Sequence, residues 1–370
     1  MSKLTTFHPK LAAMTDQWMD LFGYAAPSVV TDTLEEYRAC RQAAALMDFS
    51  MLRKVYLDGA GAQELVDTIV CRDVSSLPAG RIAYGALTNE HGKMVDDCTV
   101  MALAPDRVQF CGANDADYAA FSAQAKGSPV QVSERTDEVA HLCLQGPLSR
   151  EILQTLTRSD LSNGAFPYYT YRTDARIADI PVFMTRLGYT AELGYELWVE
   201  NDRALELWDA LLAAGSPAGM RVIGMDALDL FRIEGGFIIG GVEYDETVSP
   251  FECGLGWSVD LTKTRLRGRD ALAADRDTAR GRLVSIRLES GGAVASGAPL
   301  TASDGTAAGL VTQAVASPFL DGATLGLGRV DRDYATPGTQ LTANVEGAPA
   351  QATIVPHPVY DPERHRAKER

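Results

Sequence analysis

Apolar and polar residues alternate through RKVYLDG (Arg53 to Gly59), the two-residue period of a strand with one buried face. In GAQELVDTIVCRDV, from Gly61, apolar residues return at helical spacing, and EEYRACRQAAALM (Glu35 to Met47) is rich in helix formers, so helices are predicted over both. Two strand-like runs flank the turn Asn89-Glu90-His91-Gly92 in GRIAYGALTNEHGKMVDDCTVMAL and predict a hairpin. RVQFCGAN reads as a further strand and Asp115 to Ala125 as a helix. EVAHLCLQGP and IPVFMTRLGYTAELGYELWVE are rich in strand residues punctuated by turn glycines. Asp202 to Ala214 sets Leu205, Trp208 and Leu212 on one stripe before Gly215, a C-terminal stop, and Met225 to Glu234 forms another helix before a Gly-rich break.

From about Gly281 the texture changes to short apolar runs separated by Gly, Pro and Asp, which predicts a small antiparallel barrel or sandwich. The charged stretch TKTRLRGRDALAADRDTARGR before it marks a domain boundary. The fold class is therefore α+β with an all-β C-terminal module.

Within the hairpin, Asp96 and Asp97 interrupt an otherwise apolar strand, GKMVDDCTVMA, where Asp is disfavoured. Alternation sends them to opposite faces: Asp97 lies with Val95 and Thr99, Asp96 with Met94 and Cys98. The expectation is one acid facing a site and the other in a structural or solvated role. Glu196, beside Tyr195 and Leu197, poses a similar question. Taken alone it reads as a surface acid on an edge strand; if buried, it could accept paired N–H donors from a heterocycle, with Tyr189 packing on the ring.

Composition narrows the classes. Charged residues are 22% and hydrophobic residues 46%, ordinary for a globular protein, and the net charge of −15 opposes nucleic acid or an anionic membrane as partner. The 6 cysteines follow no metal-ligand spacing and read as buried thiols in a reducing compartment, no metal site is expected, and no stretch of about 18 apolar residues suggests a membrane span. A cytoplasmic protein is the expectation. Phosphate loops, dinucleotide fingerprints and GxSxG elbows are absent, and the 5 histidines offer no relay. Any chemistry must rest on carboxylates, aromatic rings and backbone.

The ordered series DFSML, GALTNEHGKMVDDCTV, CGAN, LQGP, RLGYTAELGYELWV, GMDALDLFRIEGG and VSPFECGLGWSVDL, continued by GLVTQAVASPFL, LGLGRV and PGTQL, resembles the aminomethyltransferase family over nearly the whole chain. That family is typified by the glycine-cleavage T-protein and includes folate-dependent demethylases, such as dimethylsulfoniopropionate demethylase. The resemblance implies a three-lobed cloverleaf ring with tetrahydrofolate in its central channel. It implies a folate-binding region over 1–280, built of two interleaved lobes with one at roughly 53–140, and a β-barrel over 281–370. Position by position, Asp97 matches the family's key acid near the reactive folate nitrogens. Leu52, Tyr84, Thr99 and Trp257 match folate neighbours or channel residues, and Tyr189 and Glu196 match the aromatic and the pterin-recognising acid. Asn114 matches a pocket Asn, although its place just before a helix suits a cap equally well. Arg232 matches a family Arg expected to pair with Glu234 or Asp229.

Departures accompany the match. Ala191 and Leu193 replace a Gly and an Asp of the glycine-cleavage pattern, and Leu228 stands where that pattern has a folate-binding Arg. The implied activity is one-carbon transfer to N5 of tetrahydrofolate from a small methylated or aminomethylated donor. A lipoylated carrier protein or an oxidase are the partners it allows. A true T-protein, or a folate binder without catalysis, are the rival readings. The last branch carries a Cys loop after the channel Trp, where this chain has KTRLRGRD.

Overall fold

The predicted hairpin closes between Ile82–Thr88 and Met94–Ala104 and forms one edge of an antiparallel five-stranded sheet. Its order continues through Arg107–Gly112 and Arg53–Asp58 to Gln131–Glu134. The apolar side of this sheet meets the helices Ala62–Asp67 and Ala116–Gln124, where Val66 and Phe121 pack with Val55, Leu57, Val100 and Phe110. The computed structural model describes residues 2–289 and 293–369.

A second sheet of six strands runs Tyr171–Ile177, Ile180–Thr185, Gly194–Glu200, Val139–Gln145, Ala45–Asp48 and Arg221–Val222. Its last pair is parallel and the others antiparallel. The helix Asn201–Gly215 covers it through Ala204, Leu207, Trp208 and Leu211. The buried stripe thus differs from the predicted Leu205, Trp208 and Leu212: Leu205 faces solvent, because the helix is docked about one residue round from the predicted face. The C-terminal strands close a six-stranded barrel, the first of the two forms that the Gly- and Pro-punctuated runs allow and the one the family resemblance implies, with Ile286, Leu300, Val311 and Ile354 in its core.

Two predicted helices are shorter than their composition suggests. The first ends at Gln42, after starting on Asp32, whose side chain accepts from Leu34 N and Glu35 N. Ala45 to Met47 instead form a fully buried strand between two others, so tertiary pairing overrides helix propensity. The second stops at Asp67, because the following β-branched run Thr68-Ile69-Val70 lays the chain against the first sheet, with Val70 bridging Leu87.

The helix Met225–Gly235, ended by Gly236 at a φ of 67°, joins these parts. Leu228 and Phe231 pack toward the second sheet, and Ile233 packs against barrel residues Leu325 and Leu327. Arg232 is buried and bonds Asp229 (2.6 Å) and Glu243 (3.0 Å); Glu243 in turn accepts from barrel Thr312 (2.8 Å). Of the two partners expected for Arg232, Asp229 holds. Glu234 is instead taken by Arg41 (2.7 Å) and Tyr37 (2.8 Å).

Candidate functional site

Along Met94–Ala104 burial alternates as the sequence predicts: Met94, Asp96 and Cys98 are buried, while Val95, Asp97 and Thr99 are only half-buried. Asp97 and Thr99 open onto a cavity of about 180 Å³ between the five-stranded and six-stranded sheets. Leu52, Tyr84, Tyr189 and Glu196 line the same space, so six of the eight expected site residues converge there. The rest of the wall is mostly apolar, with Phe22, Met51, Leu187, Leu228, Phe237 and Ile238 among it. The barrel supports this wall from outside, through Thr312 and Glu243.

Two tyrosines clamp the Asp97 carboxylate. Tyr84 donates to Oδ2 (2.8 Å) and Tyr244 to Oδ1 (2.6 Å), while the Asp97 amide donates to the Tyr244 hydroxyl (3.0 Å). Burial, and then the neighbouring Asp96 carboxylate, push the Asp97 carboxyl up to about 7, and the two hydroxyls hold it down against that. Both phenols are raised well above their usual range, chiefly by burial, and so stay protonated as donors.

Asp96 is structural and not solvated. Its Oδ2 accepts from Ala113 N (2.6 Å) and Asn114 N (3.1 Å), fixing the turn into the Ala116–Gln124 helix. The two acids are not independent, however: the Tyr244 hydroxyl also lies 3.1 Å from Asp96 Oδ1 and bridges the faces that strand alternation separates. Asp117, fully buried, completes the cluster; burial, and then the Asp96 carboxylate, push its carboxyl well up. Tyr244 lies 147 residues from Asp97, and no local pattern marks it. Tyr244→Phe removes a donor to the charged form, so the Asp97 carboxyl is expected to ionise at a higher pH than in the wild type. Carboxyl titration by 13C NMR, with Asp97→Asn to assign the signal, reads the shift; an unmoved titration would contradict the clamp.

Glu196 lies on an interior strand, between Ile180–Thr185 and Val139–Gln145, which corrects the edge-strand reading. Thr185 Oγ1 donates to its Oε2 (3.2 Å), and His141 Nε2 stands 3.3 Å from the same oxygen. His141, with no evident relay in the sequence, is thus a neighbour of the site. Tyr189 donates to the Ile238 carbonyl, and its ring lies 5.0 Å from that of Phe237.

The other two expected residues sit elsewhere. Asn114 caps the helix, Oδ1 accepting from Ala116 N (2.9 Å), while Nδ2 donates to Val95 O (2.8 Å). It lines a second cavity beyond Asp96, together with Arg53 and Tyr244. Trp257 is 62% exposed and outside the cavity wall; its ring is 6.2 Å from that of Tyr84, and the Arg72 guanidinium lies 5.3 Å over it. The departures from the family pattern also find places. Ala191 holds a φ of 61°, a left-handed conformation that costs a residue with a Cβ about 1–2 kcal/mol and explains a Gly there. Leu193 is buried, and Leu228 faces the cavity. All six cysteines are buried free thiols. Among the described residues no helix is long and apolar enough to cross a membrane.

Residues 7–263 match the family model of the GCVT N-terminal domain, and 282–361 that of the glycine cleavage T-protein C-terminal barrel domain. The chain is 32% identical to a trimethylamine-oxide aldolase of Ruegeria pomeroyi over 100% of its own length and 48% of that protein, so it spans about half of this relative. It is 32% identical to an aminomethyltransferase of Halothermothrix orenii, covering 96% of this chain and 98% of the relative. The structure of the glycine cleavage system aminomethyltransferase T from Bartonella henselae superposes with a TM-score of 0.88 at 23% identity, over 98% of this chain and 99% of that one, a likeness of fold. With both of its family models matched in order around a cavity that holds Asp97 and Glu196, the chain belongs to the glycine-cleavage T-protein, or aminomethyltransferase, family.

Proposed function

We propose that the chain is a tetrahydrofolate-dependent one-carbon transferase, moving a methyl or aminomethyl-derived group from a small methylated donor to N5 of tetrahydrofolate, as a demethylase does. The observation that carries this reading is one apolar cavity holding two carboxylates in different settings, Asp97 between two phenols and Glu196 beside Thr185 and His141. A pterin is flat, with N–H donors along one edge, and this lining suits it: Glu196 offers an acceptor and Tyr189 a flat apolar face. Bound there, tetrahydrofolate would supply the nucleophilic nitrogen.

The chain's own residues would do the rest. The apolar wall keeps water away and holds donor and acceptor together, which supplies most of the acceleration by orientation. Asp97, with both oxygens fixed by tyrosines, sets a negative charge where a nitrogen changes charge. Its carboxyl, near 7, holds or releases a proton at neutral pH. On this reading the folate-binding region covers 1–280, the barrel covers 281–370, and the protein works in the cytoplasm.

Leu228 favours a small donor over a carrier-bound one. It puts an apolar side chain on the cavity wall where the T-protein pattern carries a cation. A relative named for trimethylamine oxide, a small N-oxide carrying three N-methyl groups, adds support. A second reading, aminomethyl transfer from a lipoylated carrier, is supported by the aminomethyltransferases matched end to end.

Incubation with tetrahydrofolate and a panel of methylated amines, sulfonium compounds and aryl ethers, followed by mass detection, separates these. Methyltetrahydrofolate formed from one small donor is the expected result. Product formed only from an aminomethyl-lipoyl carrier would replace this reading with the second.

A further inference from the structure

We propose that His141 is a positioning residue that holds Glu196 in the orientation that receives the pterin, by donating from Nε2 to Oε2. This inference rests on the folate reading of the cavity and goes beyond it, because it assigns a role to a residue that lies outside the cavity wall.

On the Val139–Gln145 strand, His141 and Cys143 share one face. In register, Trp198 lies opposite His141 and Glu196 opposite Cys143, which sets the imidazole diagonally against the carboxylate. The ring is fully buried and wedged, 4.9 Å from the Trp198 ring and edge-on to Phe49 at 6.0 Å. It therefore has one orientation to offer.

The proton has one place to be. Nδ1 is buried and has no hydrogen-bond partner among the described residues, and burial lowers the imidazole below its usual range, which keeps it neutral. The single N–H then meets partners only on Nε2, which lies 3.3 Å from Glu196 Oε2 and 3.8 Å from the softer acceptor Cys143 Sγ. Thr185 donates to that same oxygen, so both protein donors converge on Oε2. Neither of these two contacts uses Oε1, and the Cys143 thiol is a third neighbour of the carboxylate; on this proposal Oε1 is left for a ligand N–H. A carboxylate fixed this way before binding loses less freedom when the ligand arrives.

A metal ion is the competing occupant, because ligand atoms of His141, Cys143 and Glu196 lie within 4.8 Å of one another. Ligation would need a bare Nε2 and would move the proton to Nδ1, which has no acceptor among the described residues. Lys54 adds to the case: its buried amine, held by the Ser50 and Leu52 carbonyls, acts on both His141 and Glu196 as a nearby positive charge. The arrangement suits a hydrogen bond better than a dication.

The test measures tetrahydrofolate affinity, turnover at saturating folate and bound zinc for the whole protein and three variants. His141→Leu removes the donor, His141→Gln returns an amide N–H near the position of Nε2, and His141→Asn is too short to reach. Leu and Asn are expected to weaken tetrahydrofolate binding about tenfold, by the loss of one hydrogen bond to a charged group, with kcat within about twofold. Gln is expected to bind within about threefold of the wild type. The Gln–Asn comparison serves alone where the Leu variant does not fold. Wild-type affinity in the Leu or Asn variant, weakening by Gln equal to that by Asn, or stoichiometric zinc lost on substitution would each overturn the inference. A wild-type protein that does not bind tetrahydrofolate would overturn the folate reading and this inference together, so the two failures are distinguishable.

Discussion

Asp97→Asn is expected to lower one-carbon transfer by about 10²–10³-fold while tetrahydrofolate still binds, because the amide keeps the shape of the clamp and loses the charge. Single-turnover assays beside a binding titration read both quantities. Transfer at the wild-type rate would remove Asp97 from the mechanism. The same variant makes a second, independent statement about stability. Burial and Asp96 raise the Asp97 carboxyl from an ordinary carboxylate value to about 7 in the fold, so between about pH 4 and 7 the folded protein binds more protons than the unfolded chain. Stability contributed by Asp97 is therefore present in acid and is lost as pH rises through 7. Asp97→Asn should flatten that slope and melt no lower than the wild type at pH 8. An acid retained at a cost in stability is the usual mark of a functional group.

Arg232→Met is expected to be the most damaging single change to the fold among those considered, costing about 3–5 kcal/mol in denaturant unfolding, because it leaves buried charge unpaired. Arg232 is 1% exposed, and its partner Glu243 is equally buried, held otherwise by Ile239 N (3.0 Å) and Thr312 Oγ1 (2.8 Å). Through these bonds the Met225–Gly235 helix, the loop lining the cavity and the barrel are held together. Adding Glu243→Met to the first change should restore part of the loss, since the uncompensated carboxylate goes with it. A cost below about 1 kcal/mol for Arg232→Met would mean that the junction is held by apolar packing alone.

Local pattern carried the architecture wherever one face of an element is buried and the other is not. The hairpin around Asn89–Gly92 and the side of the strand on which Asp97 lies follow from a period of two, and an all-β C-terminal module, barrel or sandwich, follows from short runs set off by Gly, Pro and Asp; closure into a barrel is what the family resemblance added. The pattern failed where burial is complete. Ala45 to Met47 look helical because Ala, Leu and Met favour helices, and only pairing with strands distant in sequence makes them extended. Glu196 looked like a surface acid for a related reason: its interior position depends on neighbours on both sides.

The site was legible in part. Alternation separated the two acids, and the family resemblance pointed to Asp97 as the one facing folate. Neither revealed that Tyr244 bridges them or that His141 abuts Glu196, because those contacts join strands and loops that no sequence spacing relates. For Asn114, the local argument from a residue just before a helix described the contact that the fold makes.

The central claim is that the cavity between the five-stranded and six-stranded sheets holds a pterin, with Glu196 at its N–H edge and Asp97 beside the reactive nitrogens. A crystal structure of the protein with 5-formyltetrahydrofolate tests it most directly. The account predicts the pterin in that cavity, hydrogen-bonded to Glu196, with N5 on the Asp97 side. A ligand seated in the second cavity beside Asn114, or a pterin turned with its N–H edge away from Glu196, would contradict it.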